Sequence, residues 1–137
     1  MDEILEDIAG WVEAEEPDVL LVHLGSNDDF QDQSVSSTLD ELARIVGTVR
    51  EERPDTTFLI AQIIPTTNSS RNRTIRELNA GISSLTSMST ERSKVTIVDQ
   101  FTGFDPRRMT HDGVHPNAEG EIHMADRWFE ALERHFR

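Results

Sequence analysis

The chain of 137 residues carries 13 basic and 26 acidic side chains, has a formal net charge of −13 at pH 7, and contains no cysteine. This length is that of one domain, residues 1–137, built around one hydrophobic core. The acidic balance argues against binding to nucleic acid or to an anionic membrane, because both need a basic face. The lack of cysteine excludes disulfides, thiolate metal sites and a cysteine nucleophile.

The spacing of apolar residues alternates between a helical period and the continuous runs of buried strands. It predicts a helix over 2–15 that ends before Pro17, and then a buried strand over 18–24. It next predicts a helix over 34–53, a strand over 57–64, a third helix, a strand over 95–98, a long loop over 99–116 and a last helix. The expected buried stripes are Ile75, Leu78, Ile82 and Leu85 on the third helix, and Ile122, Ala125, Phe129, Leu132 and Phe136 on the last.

The predicted order is α-β-α-β-α-β-α, which is typical of a parallel sheet with helices on both faces. In such α/β sheets, ligands bind beyond the carboxyl ends of the strands. Two polar loops, 25–29 and 99–116, follow predicted strands at those ends. We therefore expect the two loops to meet at one edge of the sheet.

The longer loop contains an acid and an imidazole three residues apart, in the stretch Thr110-His111-Asp112-Gly113-Val114-His115-Pro116-Asn117. An aspartate that holds one ring nitrogen of a histidine fixes its tautomer and leaves the other nitrogen free to move a proton. Asp112 and His115 are therefore a candidate acid and base. A turn with a solvated histidine, followed by a helix cap, would give the same pattern.

The shorter loop, Gly25-Ser26-Asn27-Asp28-Asp29, follows the first predicted strand directly. The side-chain amide of Asn27 can donate to a developing oxyanion, and Gly25 lets the backbone approach a substrate closely. Gly25 and Ser26 are therefore candidate substrate-binding residues. A strand-ending turn with ordinary side-chain capping is the alternative interpretation.

Together these two loops resemble the SGNH, or GDSL-type, hydrolase superfamily. The resemblance implies that Asn27 lies in the oxyanion hole, that Asp112 and His115 are acid and base of a triad, and that the fold is a flavodoxin-like three-layer α/β/α sandwich. The chain is most similar to carbohydrate esterase family 3, the acetyl xylan esterases. That implies a cofactor-free carboxylic ester hydrolase that acts on short acyl esters and deacetylates sugars or xylan. The stretches that carry this similarity are Ile8-Ala9-Gly10-Trp11, Pro17-Asp18-Val19, Leu24-Gly25-Ser26-Asn27-Asp28, Asp112-Gly113-Val114-His115-Pro116-Asn117 and Met124-Ala125-Asp126-Arg127-Trp128.

The Gly-Asp-Ser block that carries the nucleophile in this family does not occur in these residues. What remains matches the family's third to fifth strands, so the resemblance implies an N-terminally truncated, partial domain. Ser26 is the nearest alternative hydroxyl by sequence, and His115 acting directly on water is another route. More remote hydroxyls are those of Thr66, Thr67, Ser69 and Ser70.

A non-enzymatic alternative is a fragment that folds and self-associates without turning over esters, with a sugar platform at Trp11 or Trp128. Both tryptophans lie on helical apolar stripes, so packing in the core is the expected role. In the family's sheet order, 2-1-3-4-5, the strand over 18–24 would lack its neighbour. We therefore expect a homodimer or higher oligomer joined through Val19 to Leu24 or through adjacent helices.

Histidines and carboxylates near the candidate base raise the question of a metal. The residues concerned are His111, Asp112, His115, Glu119 and His123. Their spacing matches no known ligand set, so no metal is expected. No apolar run approaches the length of a membrane span, and the acidic N-terminus is unlike a signal peptide, so we expect a soluble protein whose compartment stays open.

Overall fold

The computed structural model describes residues 2–26 and 34–137. The order of the predicted elements is confirmed, with two short additions that the periodicity did not predict, a 3₁₀ turn and a four-residue helix. The elements are α1 (Asp2–Glu15), β1 (Val19–Val22), α2 (Val35–Glu52), β2 (Thr57–Ala61), α3 (Arg71–Ser84), the 3₁₀ turn Leu85–Met88, β3 (Val95–Val98), α4 (Pro106–Met109) and α5 (Ala118–His135).

The three strands form one parallel sheet in the order β1-β2-β3, as the alternation of elements predicted. Leu21, Leu59 and Thr96 share one row across the sheet. All three strands therefore end at the same edge, which is where the two polar loops begin.

Helices cover both faces of this sheet, which gives the predicted three layers. One core joins α1, α2 and α3 to one face, where Val22, Phe58 and Ile60 are buried. The second core joins α5 to the opposite face through Leu59, Ala61, Val98 and Ala131. The four residues of the stripe predicted for the third helix are all buried: Ile75, Leu78 and Ile82 on α3, and Leu85 at the start of the 3₁₀ turn.

β1 and β2 are shorter than the apolar runs 18–24 and 57–64 that predicted them, whereas β3 has the predicted bounds. Residues 62–64 continue beyond β2, but the backbone of Ile63 bonds to a side chain instead of to a neighbouring strand. Its N–H donates to Oδ1 of Asn79 at 2.8 Å, and its carbonyl accepts from Nδ2 of Asn79 at 2.9 Å. Ile63 and Ile64 stay buried without belonging to the strand.

The predicted buried stripe of α5 is wrong. Ile122, Phe129 and Phe136 are 64%, 66% and 73% exposed, and Ala125 is exposed as well. The helix is rotated so that Gly120 and Ala131 are buried, with Trp128 and Leu132 partly buried against the second core. Ile122 and Phe129 lie nine and two residues from Ala131, which places them on the side of the helix turned away from the sheet.

The two tryptophans differ in their surroundings. Trp128 packs partly buried against the second core, as its apolar stripe predicted. Trp11 is not buried in the core, which its apolar stripe had predicted: it is 51% exposed, while Ile8 and Val12 of the same helix are buried.

No described helix is both long enough and apolar enough to cross a bilayer.

Candidate active site

Asp112 and His115 form the hydrogen-bonded pair that the sequence predicted. Nδ1 of His115 lies 2.7 Å from Oδ2 of Asp112. The other carboxylate oxygen, Oδ1, accepts from the backbone N–H groups of Val114 at 2.9 Å and of His115 at 2.7 Å. The hydrogen bond from the His115 side chain, followed by those from the two backbone groups, lowers the pKa of Asp112 well below its ordinary value. The carboxylate therefore stays ionised and holds the imidazole in one tautomer.

The loop that carries this pair is held by the loop that follows β2. The backbone N–H of Thr67 donates to the carbonyl of Gly113 at 2.9 Å. Gly113 has φ +89°, and a Cβ there would collide with Oγ1 of Thr67, so only glycine fits. Oγ1 of Thr110 accepts from the N–H of Gly113 at 2.9 Å. These contacts hold Asp112 and His115 at the carboxyl edge of the sheet.

The far end of the loop is held by the start of α5. Asn117 is the N-cap of that helix, because its Oδ1 accepts from the N–H groups of Glu119 and Gly120. Its Nδ2 donates to the carbonyl of Arg108 at 2.7 Å. The helix therefore positions the loop from one side while Thr67 positions it from the other.

The two predicted loops converge on one cavity of about 210 Å³. Gly25 and Ser26, which follow β1, line it together with Val114 and His115. Gly25 has φ +117°, where a Cβ would lie within 3.2 Å of Thr38 and 3.3 Å of Leu78. Asn27, the expected oxyanion donor, lies outside the described residues. The rest of the cavity wall is mostly apolar and includes Ile63, Ile64, Ile75, Leu78 and Met124.

Some of the alternative hydroxyl residues line this cavity and others do not. Ser26 and Thr66 line it, whereas Thr67, Ser69 and Ser70 do not belong to its wall. Oγ1 of Thr66 accepts from the N–H of Asn68 at 3.1 Å. Within residues 2–26 and 34–137, no hydroxyl is hydrogen-bonded to the imidazole of His115. The described part of the site is therefore an acid–base pair beside a cavity.

His23 is a cavity residue that the sequence analysis did not select. It follows β1 and lines the same cavity as His115. Burial lowers the pKa of His23, and its Nε2 is buried without a hydrogen-bond partner in the described part of the chain. Its signal in the sequence is weak, because it stands within an almost continuous apolar run.

The residues considered as metal ligands are divided among different contacts. His111 stacks on His115, with ring centroids 5.9 Å apart and planes 16° apart, and Glu119 pairs with Arg108. His123 packs edge-on against Phe104 at 5.7 Å. The described residues contain no group of three or more histidines and carboxylates placed to hold a metal ion.

Comparison with known proteins identifies similar chains. A profile of the GDSL-like Lipase/Acylhydrolase family matches residues 2–121. A carbohydrate esterase family 3 protein from Talaromyces cellulolyticus is 29% identical with TM-score 0.87, covering 96% of this chain and 65% of that one. An acetyl esterase mutant solved with an acetate ion is 29% identical with TM-score 0.88 over the same shares.

A third similar protein is a multidomain esterase from Ruminococcus flavefaciens. It is 26% identical over 141 residues, which are 98% of this chain and 18% of that protein. The chain thus spans about two thirds of the length of the solved esterases and under one fifth of the multidomain protein.

Proposed function

Because the chain belongs to the GDSL-like lipase/acylhydrolase (SGNH) family, we propose that it is a carboxylic ester hydrolase for short acyl esters, with acetylated sugars or xylan as the natural substrates. The observation that carries this proposal is the Asp112–His115 pair beside a cavity that the Gly25 loop also lines. The similarity to an acetyl esterase and to a carbohydrate esterase supports the choice of substrate.

The chemistry follows from the ionised carboxylate. Asp112 holds Nδ1–H of His115, so the other ring nitrogen, Nε2, accepts a proton from the attacking oxygen as that oxygen adds to the ester carbonyl. The imidazolium is stabilised by Asp112 and then returns the proton to the departing alkoxide. The products are an alcohol and a carboxylic acid, and the acid then loses its proton to solvent at neutral pH. No cofactor or metal enters the balance.

The oxyanion of the tetrahedral intermediate needs hydrogen-bond donors. We assign this role to the side-chain amide of Asn27, with the backbone at Gly25 and Ser26 contacting the substrate. Donors of this kind stabilise the transition state more than the ground state because they are already oriented. The attacking oxygen is assigned to water, since no described hydroxyl is hydrogen-bonded to His115.

Hydrolysis of p-nitrophenyl acetate and release of acetate from acetylated xylan test the proposal. His115→Ala is expected to lower the rate at least about 100-fold, because it removes the general base. His135→Ala, on the exposed C-terminal end of α5, is the control for the direct reaction of surface imidazoles with the nitrophenyl ester. Equal rates in the His115 variant and the wild type would refute the assignment.

The second candidate function is a self-associating SGNH-like fragment with little or no turnover. The observation that favours it is that no described hydroxyl is hydrogen-bonded to His115. Acetate release by the wild type that does not exceed buffer would support this candidate over the hydrolase.

A further inference from the structure

His111 precedes the candidate acid in the sequence but has no part in the proposed mechanism. Its imidazole lies beside that of His115, with ring centroids 5.9 Å apart and planes 16° apart. This separation falls within the range of about 4.5–7 Å over which aromatic rings pack against one another. The two rings are nearly parallel, so one is placed to support the face of the other.

The backbone of the loop places these two rings side by side. Thr110 and Pro116 form an antiparallel β-bridge, and the N–H of His111 donates to the carbonyl of His115 at 3.1 Å. Residues 111 and 115 therefore face each other just inside the bridge, as side chains do across two antiparallel strands. Gly113, with φ +89°, turns the chain between them.

The hydrogen bond to Asp112 does not by itself fix the imidazole of His115. In the described residues it is the one hydrogen bond that this ring makes, through Nδ1 at 2.7 Å. A single hydrogen bond at one corner fixes one point of the ring and leaves the ring free to pivot about that point. Pivoting displaces Nε2, the atom that must meet the proton of the attacking oxygen, and proton transfer depends on that geometry.

His111 supplies the second constraint through the face of its ring and not through the carboxylate. Its Nδ1 lies 4.0 Å from Oδ2 of Asp112, which is too long for a hydrogen bond. The carboxylate therefore stays bonded to His115, and His111 restricts that imidazole by packing against its plane. The hydrogen bonds at Gly113 involve backbone atoms of the loop, so they do not set the plane of the ring.

We propose that His111 is a positioning residue for the general base. It keeps the imidazole of His115 in the plane in which Nδ1 meets Asp112 and Nε2 is free to take a proton. This inference rests on the proposed function, in which His115 accepts the proton of the attacking oxygen. The flat ring of His111 does this and its charge does not, so an uncharged flat ring at the same position serves equally.

Three variants separate the ring of His111 from its ability to carry a charge. His111→Ala removes the ring, His111→Gln keeps a polar side chain without a ring, and His111→Phe keeps a flat ring without an ionisable group. All three retain the backbone N–H that bonds to His115, and circular dichroism checks that the fold is kept. His135→Ala, at the exposed end of α5, is the matched control for the loss of one imidazole.

The kinetic test measures kcat and KM for p-nitrophenyl acetate. In His111→Ala and His111→Gln, kcat is expected to fall about 3- to 10-fold with KM within about twofold of the wild type, because the ring orients the base and does not bind the ester. His111→Phe and His135→Ala should retain most of the wild-type kcat. An Ala variant as fast as the wild type, or a Phe variant as slow as the Ala variant, would overturn the proposal.

Nuclear magnetic resonance tests the positioning itself, whether or not the protein hydrolyses esters. Ring protons of His111 and His115 should show a through-space contact in the wild type. At a pH where histidines are neutral, the ring nitrogen shifts of His115 should report a proton on Nδ1 in the wild type and in His111→Phe, and a mixture of both tautomers in His111→Ala. An unchanged tautomer in the Ala variant would overturn the proposal, because Asp112 alone would then hold the ring.

Failure of this inference and failure of the proposed function give different results. A wild type that releases no acetate removes the proposed function, and the spectra of His115 still decide whether His111 orients its ring. Hydrolysis that His115→Ala abolishes and His111→Ala leaves unchanged keeps the proposed function and overturns the positioning role.

Discussion

Nδ1 of His115 lies 2.7 Å from Oδ2 of Asp112, and the N–H of the same histidine donates to the other oxygen of that carboxylate at 2.7 Å. The backbone and the side chain of His115 are thus hydrogen-bonded to the two carboxylate oxygens of Asp112. The loop therefore sets the orientation of the imidazole by itself, and the other loops supply the wall of the cavity.

Because these hydrogen bonds favour the carboxylate, the pKa of Asp112 is lowered in the folded state. The stabilisation from this pair is present above the pKa of an unfolded aspartate and is lost as the pH falls through the lowered value. Side-chain carboxyl carbon NMR should show Asp112 titrating below the ordinary range. His115→Ala should move that midpoint upward by removing the largest cause of the shift.

Asp55 provides the control for this titration. Its pKa is lowered too, chiefly by its hydrogen bond with Arg92, and that pair is independent of the candidate site. Its midpoint should stay the same in His115→Ala. An Asp112 midpoint that does not respond to the loss of His115 would contradict the hydrogen-bonded pair.

The assignment of water as the attacking group gives a prediction for Ser26. Ser26→Ala is expected to keep p-nitrophenyl acetate hydrolysis within about twofold of the wild type, since the step does not pass through a serine ester. Mass spectrometry of the wild type after rapid acid quenching should show no acetylated Ser26. Loss of activity in the variant, together with an acetyl adduct on Ser26 in the wild type, would make Ser26 the nucleophile.

Much of the fold is predictable from the sequence where one apolar stripe has one possible partner. The stripe of α3 is of this kind, and so are the runs that became the three strands. The stripe of α5 is not, because Trp128, Leu132, Phe129 and Ile122 span about a third of the helix circumference, which is more than the sheet buries. Periodicity finds this apolar arc, but the packing of the helix on the sheet decides which part of the arc is buried.

In and around the candidate site, too, contacts between residues close in sequence are predictable, and contacts between residues far apart in sequence are not. The Asp112–His115 pair is predictable because both partners and their turn lie within four residues. The role of Asn79 was not predictable, since it depends on a strand end 16 residues away. The position of His23 in the cavity wall likewise depends on which loops pack over the end of β1. The residues around it in the sequence are those of an ordinary strand.

Gly113 should be intolerant of a side chain. Gly113→Ala is expected to destabilise the protein by about 1–3 kcal/mol, because it strains the backbone at φ +89° and collides with Thr67. Gly47→Ala is the control, since Gly47 lies inside α2 and a Cβ added there would meet no atom within 4 Å, and it should stabilise by about 0.5–1 kcal/mol. Urea denaturation measures the free energy of unfolding of both variants. Equal effects would show that the conformation at position 113 does not require glycine.

The buried side chain of Asn79 bonds to both backbone groups of Ile63, so we expect its loss to be costly. Asn79→Leu keeps the approximate volume but leaves the N–H and the carbonyl of Ile63 buried without partners, at about 1–3 kcal/mol for each group. Ser83→Ala, one turn further along α3, removes a hydroxyl that donates to the Asn79 carbonyl and should cost less than about 1 kcal/mol. Thermal unfolding followed by circular dichroism compares the two. A Leu variant as stable as the wild type would mean that water replaces the lost amide, and hydrogen exchange at Ile63 would then be faster than in the native protein.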